Sequence, residues 1–331
     1  MFENKGILVY CEAAGGKLMP LASELLGAGS RLATALGGEL SAVLIGSGVS
    51  SLAEEAIASG AQKVYVVEDP YLKDYSTEPY LMGLEKVIQQ VAPEIILLGQ
   101  TAAGRDLAPW LAFHLNTGAT MDCTALEIDP ASKRLLMTRP VYGGNAQAVQ
   151  VCELNPQIAT VRVKAMAPLE RDSTRQGQVI KVAAGIDPET LKARVIERKV
   201  EAAAGVKLEE ARVVVSGGRG MGSAAGFKQL EEIAGVLKGA VGATRPPCDK
   251  KWIADTQQIG LTGKVVSPDL YIAVGLSGAS QHLSGFSSAK VIVAINKDPQ
   301  ANIFKVAHYG IVADWKAVLP AFTAKLKEVA G

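Results

Sequence analysis

Two stretches of this chain place small residues, hydroxyls and fixed charge close enough together to hold an anion. In Ser216-Gly217-Gly218-Arg219-Gly220-Met221-Gly222, the glycines let a phosphate approach backbone N–H groups at the start of a following helix, and Arg219 adds a permanent positive charge. In Gly275-Leu276-Ser277-Gly278-Ala279-Ser280-Gln281-His282, two hydroxyls and an amide make a second anion-binding turn, with His282 about one turn into a short helix. A lone histidine so placed is more often a satisfied structural donor than a catalyst. Two such turns at neighbouring strand ends suit a dinucleotide, whose phosphates and long body need several turns converging on one crevice. Asn296 and Asp314, each just past a predicted strand, could meet hydroxyls or ring nitrogens, and each also reads as a cap or turn residue.

Other chemistries fit less well. The run Gly220-Met221-Gly222-Ser223-Ala224-Ala225 matches a loose dinucleotide fingerprint but sits late in its turn, and a tight turn explains these glycines equally well. The next strand end carries Thr244-Arg245 where a ribose-binding carboxylate would stand in an NAD site. Gly260-Leu261-Thr262-Gly263-Lys264 ends like a phosphate loop, yet Gln258 holds the position of its first glycine and Val265 that of the magnesium-binding hydroxyl. His114, His282 and His308 lack metal-ligand spacing, so no metal is expected.

These turns need a scaffold of strands with ligand-facing carboxyl ends. Over 331 residues, β-branched runs alternate with amphipathic stretches, the pattern of parallel sheets covered by helices. The apolar content is 48% but only 5% is aromatic, which favours such α/β packing over a sandwich. Strands are predicted over 6–11, 42–45, 63–67 and 94–98, with helical stretches over 18–36, 51–59 and 78–91. Shorter strands over 135–141, 146–153 and 158–163, separated by Gly143, Gly144, Asn145 and Pro156, suggest an antiparallel extension of this first sheet. A second series of strands over 212–215, 240–243, 270–274, 291–295 and 310–313 predicts a doubly wound, Rossmann-like domain. The expected organisation is an N-terminal α/β domain over 1–200 and a second domain over 208–331, with a charged, stripe-free boundary about 187–210.

Charge and cysteine usage bound the partners. Thirty-four basic against 33 acidic side chains leave a net charge of +1, with no electrostatic footprint for nucleic acid. The 4 cysteines are dispersed and are expected to be reduced. Glu3 and Lys5 open directly into a strand-like run, so no secretory leader is read and a cytoplasmic location is expected. The uncharged stretch 270–289 carries Ser277, Ser280, Gln281 and His282, too polar for a membrane span.

The run from Pro268 through Leu270-Tyr271-Ile272-Ala273-Val274-Gly275-Leu276-Ser277-Gly278-Ala279-Ser280-Gln281-His282, followed by Lys290 to Pro299 with Asn296-Lys297-Asp298, closely resembles the alpha subunit of electron transfer flavoproteins. The likeness extends back through Gly217-Gly218-Arg219-Gly220, Gly242-Ala243-Thr244-Arg245, Gly104-Arg105-Asp106, Asp122-Cys123-Thr124 and Arg139-Pro140 with Gly143-Gly144-Asn145, covering essentially the whole chain.

That resemblance implies an N-terminal domain pairing with a beta subunit, and a mobile C-terminal domain holding FAD and passing electrons from flavoprotein dehydrogenases of the acyl-CoA type to a redox acceptor. By motif, the FAD-lining residues would be Arg219, Thr244, Arg245, Ile259, Gly260, Leu261, Thr262, Gly263, Ser277, Gly278, Ala279, Ser280, Gln281, His282, Asn296, Asp314 and Trp315. The family places the counterpart of Arg245 near the isoalloxazine, of Thr262 near flavin N5 and of His282 near flavin O2. Flavin reduction gathers negative charge around N1 and O2, and donors already aimed there favour it. Asn296 and Asp314 would hold the adenosine end, and the Ser277 turn the pyrophosphate. Leu261 stands where the family usually has glutamine, Thr244 where it has serine, Ser280 where isoleucine is common, and Pro246-Pro247 stiffen a turn that is usually more permissive. The opening Lys5 to Tyr10, with Glu24-Leu25-Leu26-Gly27, looks like alpha subunits of anaerobes whose beta subunit holds a second FAD and binds NADH for electron bifurcation. The rival reading is an NAD-dependent dehydrogenase built on the same second domain; a blander one is a nucleotide-binding scaffold.

Overall fold

The computed structural model describes residues 6–144, 146–198 and 206–330. Asn145 and residues 199–205, in the middle of the expected boundary, lie outside the described residues. The chain divides into two units, Met1–Pro140 with Gln147–Lys199, and Val141–Ala146 with Val200–Gly331.

The first series of elements is β1 (Gly6–Tyr10), β2 (Ala13–Ala14), β3 (Lys17–Leu18), α1 (Pro20–Leu36), β4 (Glu39–Gly46), α2 (Ala53–Ala58), β5 (Lys63–Glu68), α3 (Thr77–Val91), β6 (Ile95–Gly99), α4 (Ala102–His114), β7 (Ala119–Cys123), β8 (Ala125–Ile128), β9 (Leu135–Val141), β10 (Ala146–Gln150), β11 (Gln157–Val161) and β12 (Gln178–Ala183). Seven strands form a parallel sheet in the order β12-β5-β4-β1-β6-β11-β7. Alternate residues of β1 serve opposite faces. Ile7 and Val9 pack with Leu25 and Leu26 of α1, while Leu8 and Tyr10 pack with Leu84 of α3 and Leu107 of α4. Burial on both faces is the reason these strands read as unbroken apolar runs. Helix α1 starts at Pro20, where a missing N–H leaves no bond unmade, and ends at Gly37 with φ 65°.

The three shorter strands divide between two sheets. β9 pairs antiparallel with β8, and with β10 these form a small sheet of their own. β11 instead enters the large sheet between β6 and β7, because all five of its residues are buried and only a central parallel position covers both faces. The sequence pattern does not predict β12: its apolar residues Val179, Ile180 and Val182 are interrupted by Lys181, and as an edge strand it exposes four of its six residues.

In the second unit come β13 (Val213–Gly217), α5 (Ala224–Val236), β14 (Ala240–Ala243), α6 (Arg245–Asp249), β15 (Leu270–Val274), α7 (Ser280–Leu283), β16 (Val291–Asn296), β17 (Tyr309–Val312) and α8 (Trp315–Ala330). The strands are all parallel in the order β14-β13-β15-β16-β17. Val215, Ile272 and Val274 pack beneath Phe227 and Leu230 of α5 and Leu319 of α8; Val214, Tyr271 and Ala273 pack on the other face against Phe286 and Ile303. The chain winds outward in one direction from β13 to β14 and in the other from β15 onward. The carboxyl ends of β13 and β15 therefore flank a topological switch point, where open α/β sheets bind ligands. Residues 141–144 and 146, read from sequence as part of the first domain, cluster with this unit: a Cβ on Gly143 would lie 2.9 Å from the Ser280 carbonyl oxygen, and one on Gly144 3.0 Å from Ser287 Cβ.

Candidate functional site

The turns that follow β13 and β15 meet backbone to backbone. Gly218 N–H donates to the Val274 carbonyl at 3.0 Å and Gly220 N–H to the Gly275 carbonyl at 2.9 Å. A Cβ on Gly218 would stand 2.4 Å from the Gly275 oxygen, and Gly275 itself has φ 60°. The glycines are thus required by close approach, and the same approach brings both turns to the switch point.

Four strand ends converge there. A cavity of about 170 Å³ is lined by Gly220, Gly222, Gly275, Asn296, Asp314 and Trp315, with Lys297 and Lys316 at its edge. Asn296 donates through Nδ2 to the Leu276 carbonyl at 2.8 Å and accepts from Asp298 N–H at 3.0 Å, which ties the ends of β15 and β16. Asp314 Oδ1 accepts from Lys316 N–H at 2.9 Å at the start of α8. Trp315 Nε1 donates to the Gly220 carbonyl at 2.9 Å, pinning the glycine turn to the end of β17. Arg219 is exposed on that turn.

The remaining residues border the other side of the switch point. Thr244 N–H donates to the Gly217 carbonyl at 3.1 Å, and Arg245, exposed at the start of α6, pairs with Asp249 at 3.4 Å. Ile259 N–H returns to the Ala243 carbonyl at 2.9 Å, so the turn Gly260-Leu261-Thr262-Gly263 begins beside β14. Leu261 N–H donates to the Gln281 carbonyl at 2.7 Å while its side chain is 64% exposed. Gly260, at φ 145°, faces the same carbonyl, which a Cβ would approach to 2.7 Å. Ser277 accepts from Ile303 N–H through its carbonyl at 3.0 Å, and Gly278 (φ 79°) lies against the Ile303 backbone. Ala279, Ser280 and Gln281 are exposed as α7 begins.

His282 faces inward. Its Nδ1 lies 2.8 Å from the Ile259 carbonyl and its Nε2 2.9 Å from the Tyr271 hydroxyl. A carbonyl can only accept, so Nδ1 carries the proton and Nε2 accepts from Tyr271. Burial pushes the imidazole down to about 4, and the ring is neutral at pH 7. Both nitrogens are therefore committed inside the fold, and Phe286 stacks on Tyr271 at 3.9 Å. Tyr271 and Gln258, which donates through Nε2 to Thr262 Oγ1 at 3.0 Å, are participants that residue type did not single out. Their only signal is register: Tyr271 shares a strand face with the core, and Gln258 lies four residues before Thr262.

The donor set fits a dinucleotide. Backbone N–H groups of the Ser277–Gln281 turn suit phosphates, the polar side chains of Asn296 and Asp314 suit hydroxyls or ring nitrogens, and two exposed arginines supply positive charge; the N–H groups of Gly218, Gly220, Met221 and Gly222 are spent within the fold. Among the described residues, no group of three metal-ligating side chains occurs, and no helix is long and apolar enough to cross a membrane.

Residues 7–187 match the electron transfer flavoprotein domain, and residues 207–287 match the electron transfer flavoprotein FAD-binding domain. The chain is 46% identical over 330 residues to the electron transfer flavoprotein subunit alpha of Thermoanaerobacterium thermosaccharolyticum, covering 99% of this chain and 100% of that one. The chain belongs to the electron transfer flavoprotein alpha-subunit family. Similar alpha subunits occur in Megasphaera elsdenii, 44% identical over 99% of this chain and 98% of the relative, and in Bacillus subtilis, 43% identical over 98% of each. In this alpha subunit the second unit is the FAD-binding domain, and FAD is its cofactor. Electron transfer, rather than hydride transfer by an NAD-dependent dehydrogenase, is the function these likenesses favour.

Proposed function

We propose that this alpha subunit holds FAD at the switch point of its second unit, pairs with a beta subunit, and relays electrons from flavoprotein dehydrogenases of the acyl-CoA type to a redox acceptor. The observation that carries this is the joining of the β13 and β15 turns at one cleft, edged by Asn296, Asp314 and Trp315. Bound FAD supplies the redox centre. The chain's own residues bind and orient it: the Ser277–Gln281 turn offers N–H groups to the pyrophosphate, the Gly217–Gly222 turn, whose Gly218, Gly220, Met221 and Gly222 N–H groups are bonded within the fold, packs beside it, and Asn296, Asp314 and Trp315 hold the adenosine end. Arg219 and Arg245 contribute fixed positive charge, and Thr244 with the Ile259–Gly263 turn borders the isoalloxazine. His282 acts from beneath, its neutral ring fixing Ile259 and therefore the start of that turn. A hinge about 187–210 lets the FAD domain, 208–331, move between partners while 1–200 contacts the beta subunit. The likeness of residues 5–10 and 24–27 to subunits from anaerobes supports a bifurcating assembly in the cytoplasm, with a second FAD and an NADH site in the beta subunit.

Co-expression with a beta subunit, purification and quantification of bound nucleotides test this. A yellow heterodimer that is reduced by a substrate-loaded acyl-CoA dehydrogenase is expected. A colourless complex that binds NAD overturns the proposal, and one FAD plus AMP with no NADH oxidation removes bifurcation alone.

A further inference from the structure

The Gln258 amide donates to Thr262 Oγ1 at 3.0 Å. A hydroxyl has one proton and two acceptor positions, so a hydroxyl that accepts from Gln258 keeps its proton for another partner. The backbone holds both side chains in this relation. Lys264 N–H donates to the Gln258 carbonyl at 2.8 Å, Gly263 N–H to the Gly260 carbonyl at 3.0 Å, and Gln258 N–H to the Asp255 carbonyl at 3.1 Å. A Cβ on Gly263 would lie 2.4 Å from the Gln258 oxygen, so the turn folds back tightly onto Gln258. Gln258 is half-buried, whereas Thr262 is exposed at the end of the turn. The amide is thus the inner partner, and the Thr262 hydroxyl keeps its proton for an acceptor on the exposed side.

Resting on the assignment of this turn to the FAD site, we propose that Gln258 is a positioning residue whose amide fixes Thr262 as a hydrogen-bond donor toward an acceptor atom of the bound flavin. A donor oriented before the ligand arrives needs no rotation when flavin charge changes, which is the condition under which it tunes a redox group. Replacing the amide by a carboxylate reverses the polarity: a carboxylate only accepts, so Thr262 must turn its proton inward.

The test is a double-mutant cycle in the full heterodimer, comparing wild type, Q258E, T262V and Q258E/T262V. FAD dissociation constant, the visible absorption bands of bound flavin and its reduction potential are read for each. The direct effect of the new charge is present with and without the Thr262 hydroxyl, and the cycle cancels it. Q258E and T262V are each expected to weaken FAD binding about tenfold and to move the absorption bands alike, with a coupling of about tenfold between them. Effects that multiply independently, within about twofold, overturn the inference, as does a Q258E complex indistinguishable from wild type. Should Q258E fail to load flavin, the cycle is repeated with Q258M, which removes the donor without charge; a coupling of about threefold supports the inference and none overturns it. A wild-type heterodimer without flavin would sink the FAD reading itself, whereas loss of coupling in a flavin-loaded complex sinks only the role of Gln258.

Discussion

Acidification should destabilise the second unit through His282 alone by an amount that can be worked out. The ring is buried, donates to Ile259 and accepts from Tyr271, and burial pushes its value from 6.5 down to about 4. The unfolded chain therefore takes up a proton below pH 6.5 that the folded chain refuses until about pH 4. Stability from this group is fully present above 6.5 and is lost as pH falls through that window. For those two values, the loss between pH 7 and pH 5 is about 2 kcal/mol, reaching about 3 kcal/mol at pH 4 and below. Urea unfolding of the W110F chain leaves Trp252 and Trp315, both in the second unit, to report by fluorescence. H282Q in the same background removes the titration, so the difference between the two curves isolates the histidine from every carboxylate in the molecule. The difference should shrink or reverse by about 2 kcal/mol on going from pH 7 to pH 5. Parallel stability curves across that range would refute the neutral, committed imidazole.

Close approach at the switch point predicts that G220A suffers twice. Its Cβ would lie 2.6 Å from the Gly275 oxygen, forcing apart the bonds from Gly220 to Gly275 and from Trp315 to Gly220, at a cost of roughly 2–4 kcal/mol. Flavin content and unfolding midpoint should both fall, whereas G235A, with open space around its Cβ in α5, should gain up to about 1 kcal/mol. Glu12 in the first unit predicts the opposite pH behaviour to His282. Burial raises its carboxyl from 4.5 to about 7 against the bond from Thr101, so the folded chain keeps a proton that the unfolded chain has released. Native stability then declines as pH climbs from 4.5 through 7, and E12Q should be more stable than wild type by about 3 kcal/mol at pH 8, with no gain at pH 4. Urea unfolding at the two pH values checks it.

Much of the fold could be read from periodicity because a parallel strand buried on both faces must be apolar throughout. β1, β6, β13 and β15 stood out for that reason, as did the polar turns where β13 and β15 end. β12 did not, since Lys181 interrupts its short apolar run and an edge strand is buried at few positions, and neither did the split of β9, β10 and β11 between two sheets, which depends on which neighbour each strand finds. Within the site, residue type alone marked the glycine turns, Arg219, Asn296 and Asp314, because phosphate- and hydroxyl-binding chemistry requires those groups after a strand.

What the tertiary structure alone decided is direction and pairing. From its place in a polar turn His282 could be read as a structural donor but its partners could not be named; packing turns its ring toward Tyr271 and Ile259, residues 11 and 23 positions away. Trp315 reaches Gly220 across 95 positions of sequence. Local spacing specifies which groups are available near a strand end; only the order of strands in the sheet specifies which of them meet, since hydrogen bonds form over a few ångströms of space and are indifferent to separation along the chain.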